Sequence, residues 1–363
     1  MKKVALIGVT GYGRTHLNNL ISLADAGKVE ISAAVVICPE VAANELELLK
    51  KYQTRIYPNT DVMFAAERGK IDLVAMPVGI AYHAPLTCQA MEAGMNVLVE
   101  KPAAGSVAEV QRMIDAQRKG LFTAVGFQQC YMPDTHFLKR ILLLNRLGRI
   151  LRSRTIGVKP RDDRYYSRNN WAAHRTSPEG VTVLDSPINN AFAHYLNVLL
   201  FLNGETETKT ARAVSVKGEL LRARPDIEMF DACHATYTLE NGTEAEIWFA
   251  HCVDRALDTC YHIDCERGAI DLKGSIWRVT DADQNLIATG TLPSRSFDMY
   301  HQILRKLDDP SLPIYSLENA LEHTRCIELL DQTCAIQNIP AEKRDGVYCV
   351  PGLADQFEKA YLG

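Results

Sequence analysis

The sequence lacks the features that mark membrane, secreted and nucleic-acid-binding proteins. No apolar run approaches the roughly 20 residues of a membrane-spanning helix, and the longest candidate, Leu196–Leu202, is typical of a core helix. Met1-Lys2-Lys3 leads directly into a strand-like segment, without the apolar region and cleavage site of a secretory signal. Lys and Arg (40) do not outnumber Asp and Glu (44), so no basic excess points to nucleic acid. We therefore expect a cytoplasmic protein that binds neither membranes nor nucleic acids.

The ten cysteines include no CxxC pair, and the closest two are Cys260 and Cys265. This usage favours reduced thiols in the core. Histidine and cysteine do neighbour each other at Cys233-His234 and His251-Cys252. These pairs fall in strand-like segments, where consecutive side chains point to opposite faces, so we expect no metal site.

A chain of 363 residues exceeds what one hydrophobic core usually serves, so two domains are expected. In the first third, short strand-like runs alternate with helical patterns of roughly ten residues, which predicts a doubly wound parallel sheet. Ligands of such sheets bind at the carboxyl ends of the strands. Strands are predicted at 4–7, 31–37, 55–57, 73–76, 97–99 and 122–126, and helices at 16–23, 41–52, 62–68, 85–93 and 107–119.

A glycine loop, Gly8-Val9-Thr10-Gly11-Tyr12-Gly13, follows the first strand. Gly8 permits a tight turn, Gly13 permits close packing of helix on strand, and the helix N-terminus attracts a pyrophosphate. Thr10 stands at the second glycine of the usual GxGxxG spacing, and Gly11 is an additional glycine. The loop predicts dinucleotide binding in a Rossmann domain; a purely structural turn is the alternative.

The end of the second strand lacks the acid that usually binds the adenosine ribose of NAD. Val35-Val36-Ile37-Cys38-Pro39 stands there instead, and no acid occurs before Glu40. No Arg or Lys lies close by to bind the 2′-phosphate of NADP. The choice between NAD and NADP stays open at this stage, and we favour NAD.

Three segments resemble one family of dehydrogenases: Gly13-Arg14-Thr15-His16, Pro77 followed six residues later by His83, and AGMNVLVEKP from Ala93 to Pro102. They are similar to the glucose-fructose oxidoreductase, inositol dehydrogenase and rhizopine-catabolism (Gfo/Idh/MocA) family. The similarity is close over residues 1–150 and patchy beyond. It implies NAD(P)-dependent oxidation or reduction of a sugar, sugar acid or cyclitol.

The resemblance implies an α/β architecture of two domains, with a Rossmann domain at 1–126 and an α+β domain with a large, mostly antiparallel sheet at 127–363. That sheet often mediates oligomerisation in the family, which implies a homodimer or homotetramer. The sequence fits, with turns at Asn241-Gly242 and Arg267-Gly268 and with helical patterns at 297–307 and 317–337. Strands are predicted at 214–217, 234–239, 245–251, 261–265, 269–272, 275–279 and 286–289.

Lys101 stands at the carboxyl end of a predicted parallel strand, followed by Pro102. Pro102 keeps Lys101 extended and permits a cis peptide bond. The Glu-Lys-Pro context favours a catalytic amine that moves the proton of a substrate hydroxyl; a surface lysine is the alternative. The resemblance places His83 beside the cofactor, with helix capping as a competing role. The expected cofactor-binding residues are Gly8, Thr10, Gly11, Tyr12, Gly13, Cys38, Pro77, His83, Glu100 and Lys101.

A second candidate site lies at 180–204. Ser186-Pro187 predicts a helix start and Gly204 its end. On such a helix, Asn190, His194 and Asn197 share one stripe.

The family carries Asp-x-x-x-His-x-x-Asp on the corresponding helix. His194 matches its histidine, and Asn190 and Asn197 stand at its acids. An asparagine cannot act as a base, so we expect His194 and Lys101 to transfer the proton and Asn190 to orient the substrate. Asp185 is a lesser catalytic candidate, with a helix-start carboxylate as its structural alternative. A lone histidine on an apolar helix is more often a core group.

The loop 161–175 is rich in Arg, Tyr, Asn, Trp and His, which suit a polyol or sugar acid. A solvated charged loop is the alternative. The candidate substrate-binding residues are Arg164, Tyr166, Asn170, Trp171 and His174.

Two other functions compete with the dehydrogenase. The asparagines at both acid positions keep open a cofactor-binding regulator without turnover. Some relatives instead hold NAD tightly for elimination, epimerisation or glycoside cleavage.

Overall fold

The computed structural model describes residues 1–292 and 296–363, without the side chain of residue 296. The chain divides into two compact units. The first contains Met1–Ala104, Ala108–Gln128 and the described part of Arg295–Glu318. The second contains Gly105–Val107, the described part of Gln129–Ser294, and Asn319–Gly363. The domain boundary expected after residue 126 stays a prediction.

Within the described residues, the first unit contains a parallel sheet of six strands in the order β3-β2-β1-β4-β5-β6. This order confirms the predicted Rossmann architecture. The strands are β1 (Lys2–Ile7), β2 (Val29–Val35), β3 (Arg55–Tyr57), β4 (Leu73–Met76), β5 (Asn96–Val99) and β6 (Thr123–Val125). The helices are α1 (Gly13–Asp25), α2 (Ala43–Lys51), α3 (Thr60–Ala66), α4 (Ile80–Glu92), α5 (Val107–Asp115) and, late in the chain, α9 (Ser296–Asp308).

The central strands of this sheet are short apolar runs because helices cover both faces. All four residues of β4 are buried, and α1 buries Leu17, Leu20 and Leu23 on one stripe. Helix α4 begins at Ile80 rather than at the predicted Pro85, which lies inside it. Ile80, Ala81 and His83 are buried in the first turns, and this burial outweighs the hydrogen bond that Pro85 cannot donate.

The second unit contains a mostly antiparallel sheet, whose order over the described strands is β14-β13-β12-β11-β7-β10-β9-β8-β15. Two pairs, β7 with β10 and β8 with β15, are parallel. The strands are β7 (Ile150–Val158), β8 (Ala213–Arg222), β9 (Ala232–Leu239), β10 (Glu244–Ala250), β11 (Leu257–Cys265), β12 (Gly268–Lys273), β13 (Ile276–Asp281), β14 (Leu286–Thr291) and β15 (Ile336–Asn338), with β16 (Glu342–Arg344) and β17 (Val347–Cys349) forming a separate hairpin. The helices are α6 (Pro133–Leu143), α7 (Asp163–Tyr166), α8 (Ala193–Leu202), α10 (Leu317–Thr333) and α11 (Leu353–Leu362).

Strand β7, in the middle of this sheet, is missing from the sequence prediction. Its segment ILRSRTIGV carries two arginines, which argue against a buried strand. The neighbouring strands supply the partners: Arg152 pairs with Glu246 of β10, and Arg154 lies 3.1 Å from Asp264 of β11. Cross-strand ion pairs of this kind are not visible in a local pattern.

Different helices cover the two sides of this sheet. Phe192 stacks on Phe249 of β10 at a centroid distance of 5.0 Å. A Cβ atom at Gly157 of β7 would lie 2.7 Å from the Phe192 ring, so this packing requires glycine. Trp248 of β10 belongs to another cluster of buried residues, which includes Phe357 and Tyr361 of α11. Both faces of the strands therefore carry buried apolar side chains, and each face packs against a different layer.

Helix α8 begins at Ala193, seven residues after the predicted start at Ser186-Pro187. Residues 186–192 form consecutive turns, in which the Asn190 N–H bonds to the Ser186 carbonyl. The Ser-Pro signal therefore starts a turn and not the helix. Asn190 precedes α8, and Asn197 is fully buried and donates to the Cys130 sulfur at 3.2 Å. The predicted polar stripe of Asn190, His194 and Asn197 was wrong, because only the last two lie on the helix.

A lysine is buried under the end of α8. The Lys139 ammonium lies 3.7 Å from the centroid of the Phe201 ring and donates to the carbonyls of Phe201, at 2.6 Å, and of Lys209. Its side chain is fully buried, and this burial lowers the pKa of Lys139 to about 7. A lysine with a pKa of about 7 changes its charge close to neutral pH.

Replacing Lys139 with Met gives a pH-dependent stability difference. Between pH 7 and pH 10.5, the unfolded chain binds a proton at Lys139 that the folded chain does not. The free-energy cost of burying Lys139 therefore falls as the pH rises. The parent protein should gain about 1.4 kcal/mol of stability per pH unit relative to Lys139→Met over pH 7.5–9.5. Urea unfolding of both proteins measures this difference. Taking the difference also cancels the contributions of the tyrosines and cysteines to the pH dependence, because both proteins contain them. A constant difference would mean that the ammonium stays charged.

Candidate functional site

The glycine loop of the first unit forms a tight turn between β1 and α1. Gly8 has φ +87° and Gly11 has φ +57°, values that favour glycine. A Cβ atom at Gly13 would lie 2.3 Å from the Gly8 carbonyl oxygen, so α1 can begin this close to the strand only with glycine there. A Cβ atom at Gly8 would lie 3.3 Å from the Pro77 carbonyl oxygen.

This turn fits a dinucleotide pyrophosphate. Its backbone is held by hydrogen bonds from Gly13 to Thr10 and from Arg14 to Gly11, at 2.9 and 3.2 Å. The first turn of α1 contains no acidic residue that would oppose a phosphate. The positive end of the helix dipole is therefore available to an anion beside this loop. Of the other predicted cofactor residues near it, Tyr12 and Cys38 are exposed.

Glu100, at the end of β5, is the centre of a buried hydrogen-bond network. Its Oε1 atom lies 2.9 Å from His16 Nε2, and His16 Nδ1 lies 2.7 Å from the hydroxyl of Tyr300 on α9. Its Oε2 atom accepts the backbone N–H of Lys101 at 3.1 Å. A Cβ atom at Gly126 would lie 2.6 Å from Glu100 Oε1, so glycine makes room for the carboxylate. The network fixes the peptide that carries Lys101.

The Glu100 carboxylate stays ionised although it is buried. Burial raises its pKa, but the hydrogen bond and charge of His16 and the charge of Lys101 outweigh this effect and lower the pKa of Glu100. Burial raises the pKa of Tyr300 well above its usual value, so its hydroxyl keeps its proton. A charge-assisted chain thus runs from Tyr300 through His16 to Glu100.

Lys101 is partly buried, and the Lys101–Pro102 peptide bond is cis. His83 lies behind this segment, with Nδ1 2.8 Å from the Pro102 carbonyl oxygen and Nε2 3.1 Å from the Val78 carbonyl oxygen. Burial lowers the pKa of His83, so its ring is neutral and donates to one of these two carbonyls. His83 therefore holds the Lys101–Pro102 segment; its contact with a cofactor stays a prediction.

In the second unit, Asp185 is a buried carboxylate with three donors. It accepts the Arg168 guanidinium at 2.9 Å, the Ala173 N–H at 2.6 Å and the Asn190 side-chain amide at 2.7 Å. The turns at 186–192 bring Asp185 and Asn190 together, although a continuous helix would separate them. An acid thus lies beside the asparagine that stands at the family's acid position. His194, four residues after Asn190, lies in the first turn of α8 and is partly buried.

The predicted substrate loop separates into outward and inward residues. Arg164 is 93% exposed and pairs with Asp162, and Asn170 is exposed. His174 pairs with Glu228 at 3.3 Å. Trp171 lies under the Arg168 guanidinium at 5.5 Å, and the Tyr166 hydroxyl lies 3.3 Å from His251 Nδ1.

Sequence reasoning missed Arg161, Arg168 and His251, which surround Tyr165. The two guanidiniums lie 4.4 and 4.1 Å from the Tyr165 ring centroid, and the His251 ring lies 5.2 Å from it. Burial, with the nearby charges of Arg161 and Arg168, holds the pKa of His251 well below its usual value, so the ring is neutral. The arginines lay within the predicted loop, but His251 directly follows β10, 85 residues after Tyr166, and gave no local signal.

Across residues 1–292 and 296–363, no three His, Cys, Asp or Glu side chains are grouped as metal ligands would be. The helices of these same segments include none long and apolar enough to span a bilayer.

Residues 2–127 match the model of an oxidoreductase family with an NAD-binding Rossmann fold. The chain is 31% identical over 152 residues to glucose-6-phosphate 3-dehydrogenase of Bacillus subtilis (strain 168), covering 42% of this chain and 41% of that protein. It is 26% identical over 151 residues to inositol 2-dehydrogenase of Salmonella typhimurium (strain LT2), covering 41% and 44%. The chain thus spans about two fifths of the length of these curated relatives.

Among solved structures, the WlbA dehydrogenase of Bordetella pertussis, in complex with NADH and UDP-GlcNAcA, matches with a TM-score of 0.74. The match covers 92% of this chain and 96% of that one, at 18% sequence identity. It extends the likeness in fold beyond residues 2–127, which match the family model.

Proposed function

We propose that the chain is a member of the Gfo/Idh/MocA oxidoreductase family, whose NAD-binding Rossmann model matches residues 2–127, and that it is an NAD(P)-dependent dehydrogenase or reductase. Its substrate is a sugar, sugar acid or cyclitol, and the hydride moves between the nicotinamide and a carbinol or carbonyl carbon. The observation that carries this proposal is Lys101, which follows β5 of the Rossmann sheet with its peptide held by buried Glu100. The named activities of the two curated relatives support the substrate class.

The proposal gives each side chain a task. The bound cofactor supplies or accepts the hydride. Lys101 hydrogen-bonds the reacting hydroxyl and takes its proton when the alcohol is oxidised, or returns it when the carbonyl is reduced. His194 exchanges that proton with solvent. Asn190, held by Asp185 at 2.7 Å, orients a second hydroxyl through its amide.

The residues around Tyr165 supply substrate contacts in this proposal. Trp171 and Tyr166 offer aromatic faces to a sugar ring, and Arg168 offers N–H donors beyond the one that Asp185 accepts. Substrate binding also stays a prediction for three other residues of this loop, Arg164, Asn170 and His174.

Three finer points belong to the same proposal. We favour NAD as the cofactor. We expect a homodimer or homotetramer formed through the C-terminal sheet, where Ile276, Leu286 and Ile287 are each more than half exposed. All ten cysteines are thiols, which fits the reducing cytoplasm.

A panel of polyols, sugars and sugar acids, offered with NAD and with NADP, tests the function through the nicotinamide absorbance. We expect turnover with at least one member. Clear cofactor binding without any turnover would favour the regulator. Stoichiometric NAD that survives purification would favour elimination, epimerisation or glycoside cleavage with a bound cofactor.

A further inference from the structure

An ion pair joins the first turns of α1 and α2. Glu45 Oε1 lies 2.6 Å from Arg14 Nη1, and Arg14 Nε donates to Asn18 Oδ1 at 3.1 Å. The Glu45 side chain is 13% exposed and that of Arg14 is 39% exposed. Both groups are therefore oriented, and the carboxylate is the less accessible partner.

This pair connects the helix that begins at the glycine loop with the helix that follows β2. The pyrophosphate binds at the N-terminus of the first helix, and an acid near the end of the second strand binds the ribose 2′-hydroxyl. Arg14 follows Gly13 in α1, and Glu45 stands in the first turn of α2, the helix that follows β2. The nearer acid, Glu40, is exposed in the short turn Pro39–Val41. Of these two acids, only Glu45 is tied to the helix that begins at the glycine loop.

We propose that Glu45 replaces the missing strand-end acid and selects NAD over NADP, with Arg14 holding its carboxylate. The inference rests on the proposed function, because it assumes that a nicotinamide dinucleotide binds at the glycine loop. The carboxylate accepts a hydrogen bond from the ribose 2′-hydroxyl of NAD and repels the 2′-phosphate of NADP. Arg14, neutralised by Glu45, has no unbalanced charge to offer that phosphate.

Titration of the protein with NADH and NADPH, followed by nicotinamide fluorescence without substrate, tests the proposal. The parent protein should bind NADH at least about tenfold more tightly than NADPH. Glu45→Gln should reduce that preference about tenfold or more, chiefly by tightening NADPH, because it frees the Arg14 charge. In the double variant Arg14→Met/Glu45→Gln, the gain in NADPH affinity should disappear.

Glu47→Gln is the matched control, since Glu47 lies on the same helix, is 69% exposed and pairs only locally with Lys50 at 2.6 Å. Its preference should equal that of the parent. Retained NADH binding with an unchanged preference in Glu45→Gln would overturn this inference and leave the proposed function intact, as would a parent protein that prefers NADPH. Failure to bind either nucleotide would overturn both. Thermal melts of each variant identify loss of folding. Arg14→Gln is a second test, because it keeps the Glu45 carboxylate: its preference for NADH over NADPH should persist.

Discussion

Replacing Lys101 with Met is expected to lower kcat about 1,000-fold, within the range for a group that transfers a proton in the transition state. Methionine has a similar length but no proton to give or take. NADH affinity should change by less than about threefold, because Glu100 binds the backbone N–H of residue 101, which the variant keeps. Steady-state rates with a substrate found in the panel, and NADH titration of the same sample, measure the two effects.

Lys51→Met, at the exposed end of α2, is the control for loss of a lysine charge. A near-normal kcat in Lys101→Met would show that Lys101 is not the catalytic amine. If Lys101 and His194 act in one proton path, Lys101→Met/His194→Asn should lose little more activity than Lys101→Met alone. If the activity losses of the two single variants multiply in the double variant, Lys101 and His194 act independently.

Gly13→Ala is expected to abolish measurable NADH binding and to destabilise the first unit by about 3 kcal/mol, the upper range for overpacking. The added Cβ would lie 2.3 Å from the Gly8 carbonyl oxygen, which is backbone and cannot rotate away. Helix α1 must therefore shift from the strand, and the turn that fits a pyrophosphate opens. NADH titration and urea unfolding measure the two losses.

Gly27→Ala is the matched control at the opposite end of α1. Gly27 has φ +68°, and a Cβ atom there would have no neighbour within 4 Å, so the variant carries only backbone strain of about 1 kcal/mol. It should bind NADH like the parent. Equal NADH affinity in Gly13→Ala and Gly27→Ala would remove the glycine loop from the cofactor site.

The first unit was predictable because its signals are local. Strands such as β4 are continuous apolar runs, and each helix ends near a glycine or a turn, so the alternation of elements is visible in the sequence. The middle of the second sheet was not. Strand β7 presents Arg152 and Arg154, and their partners Glu246 and Asp264 come from strands roughly a hundred residues later. A local pattern records the charge but not its neutralisation.

In the candidate site too, local signals were predictable from the sequence and long-range contacts were not. Gly8, Gly13 and Lys101 were found from contiguous motifs. The Asp185–Asn190 contact was not, because the Ser186-Pro187 pair was interpreted as a helix start and the chain forms turns there instead. Tyr300 was not found either, since it meets His16 across 284 residues of sequence.

The return of α9 to the first unit has a consequence for how this half of the protein can be made. Tyr300 closes a polar chain in the interior, so a fragment ending at residue 128 would leave His16 Nδ1 without the hydroxyl that it meets in the intact unit. During synthesis, the first unit must wait until residue 300 has been made before its interior is complete. A version grafted onto another protein needs the α9 segment supplied as a second piece, joined by a linker or added as a peptide.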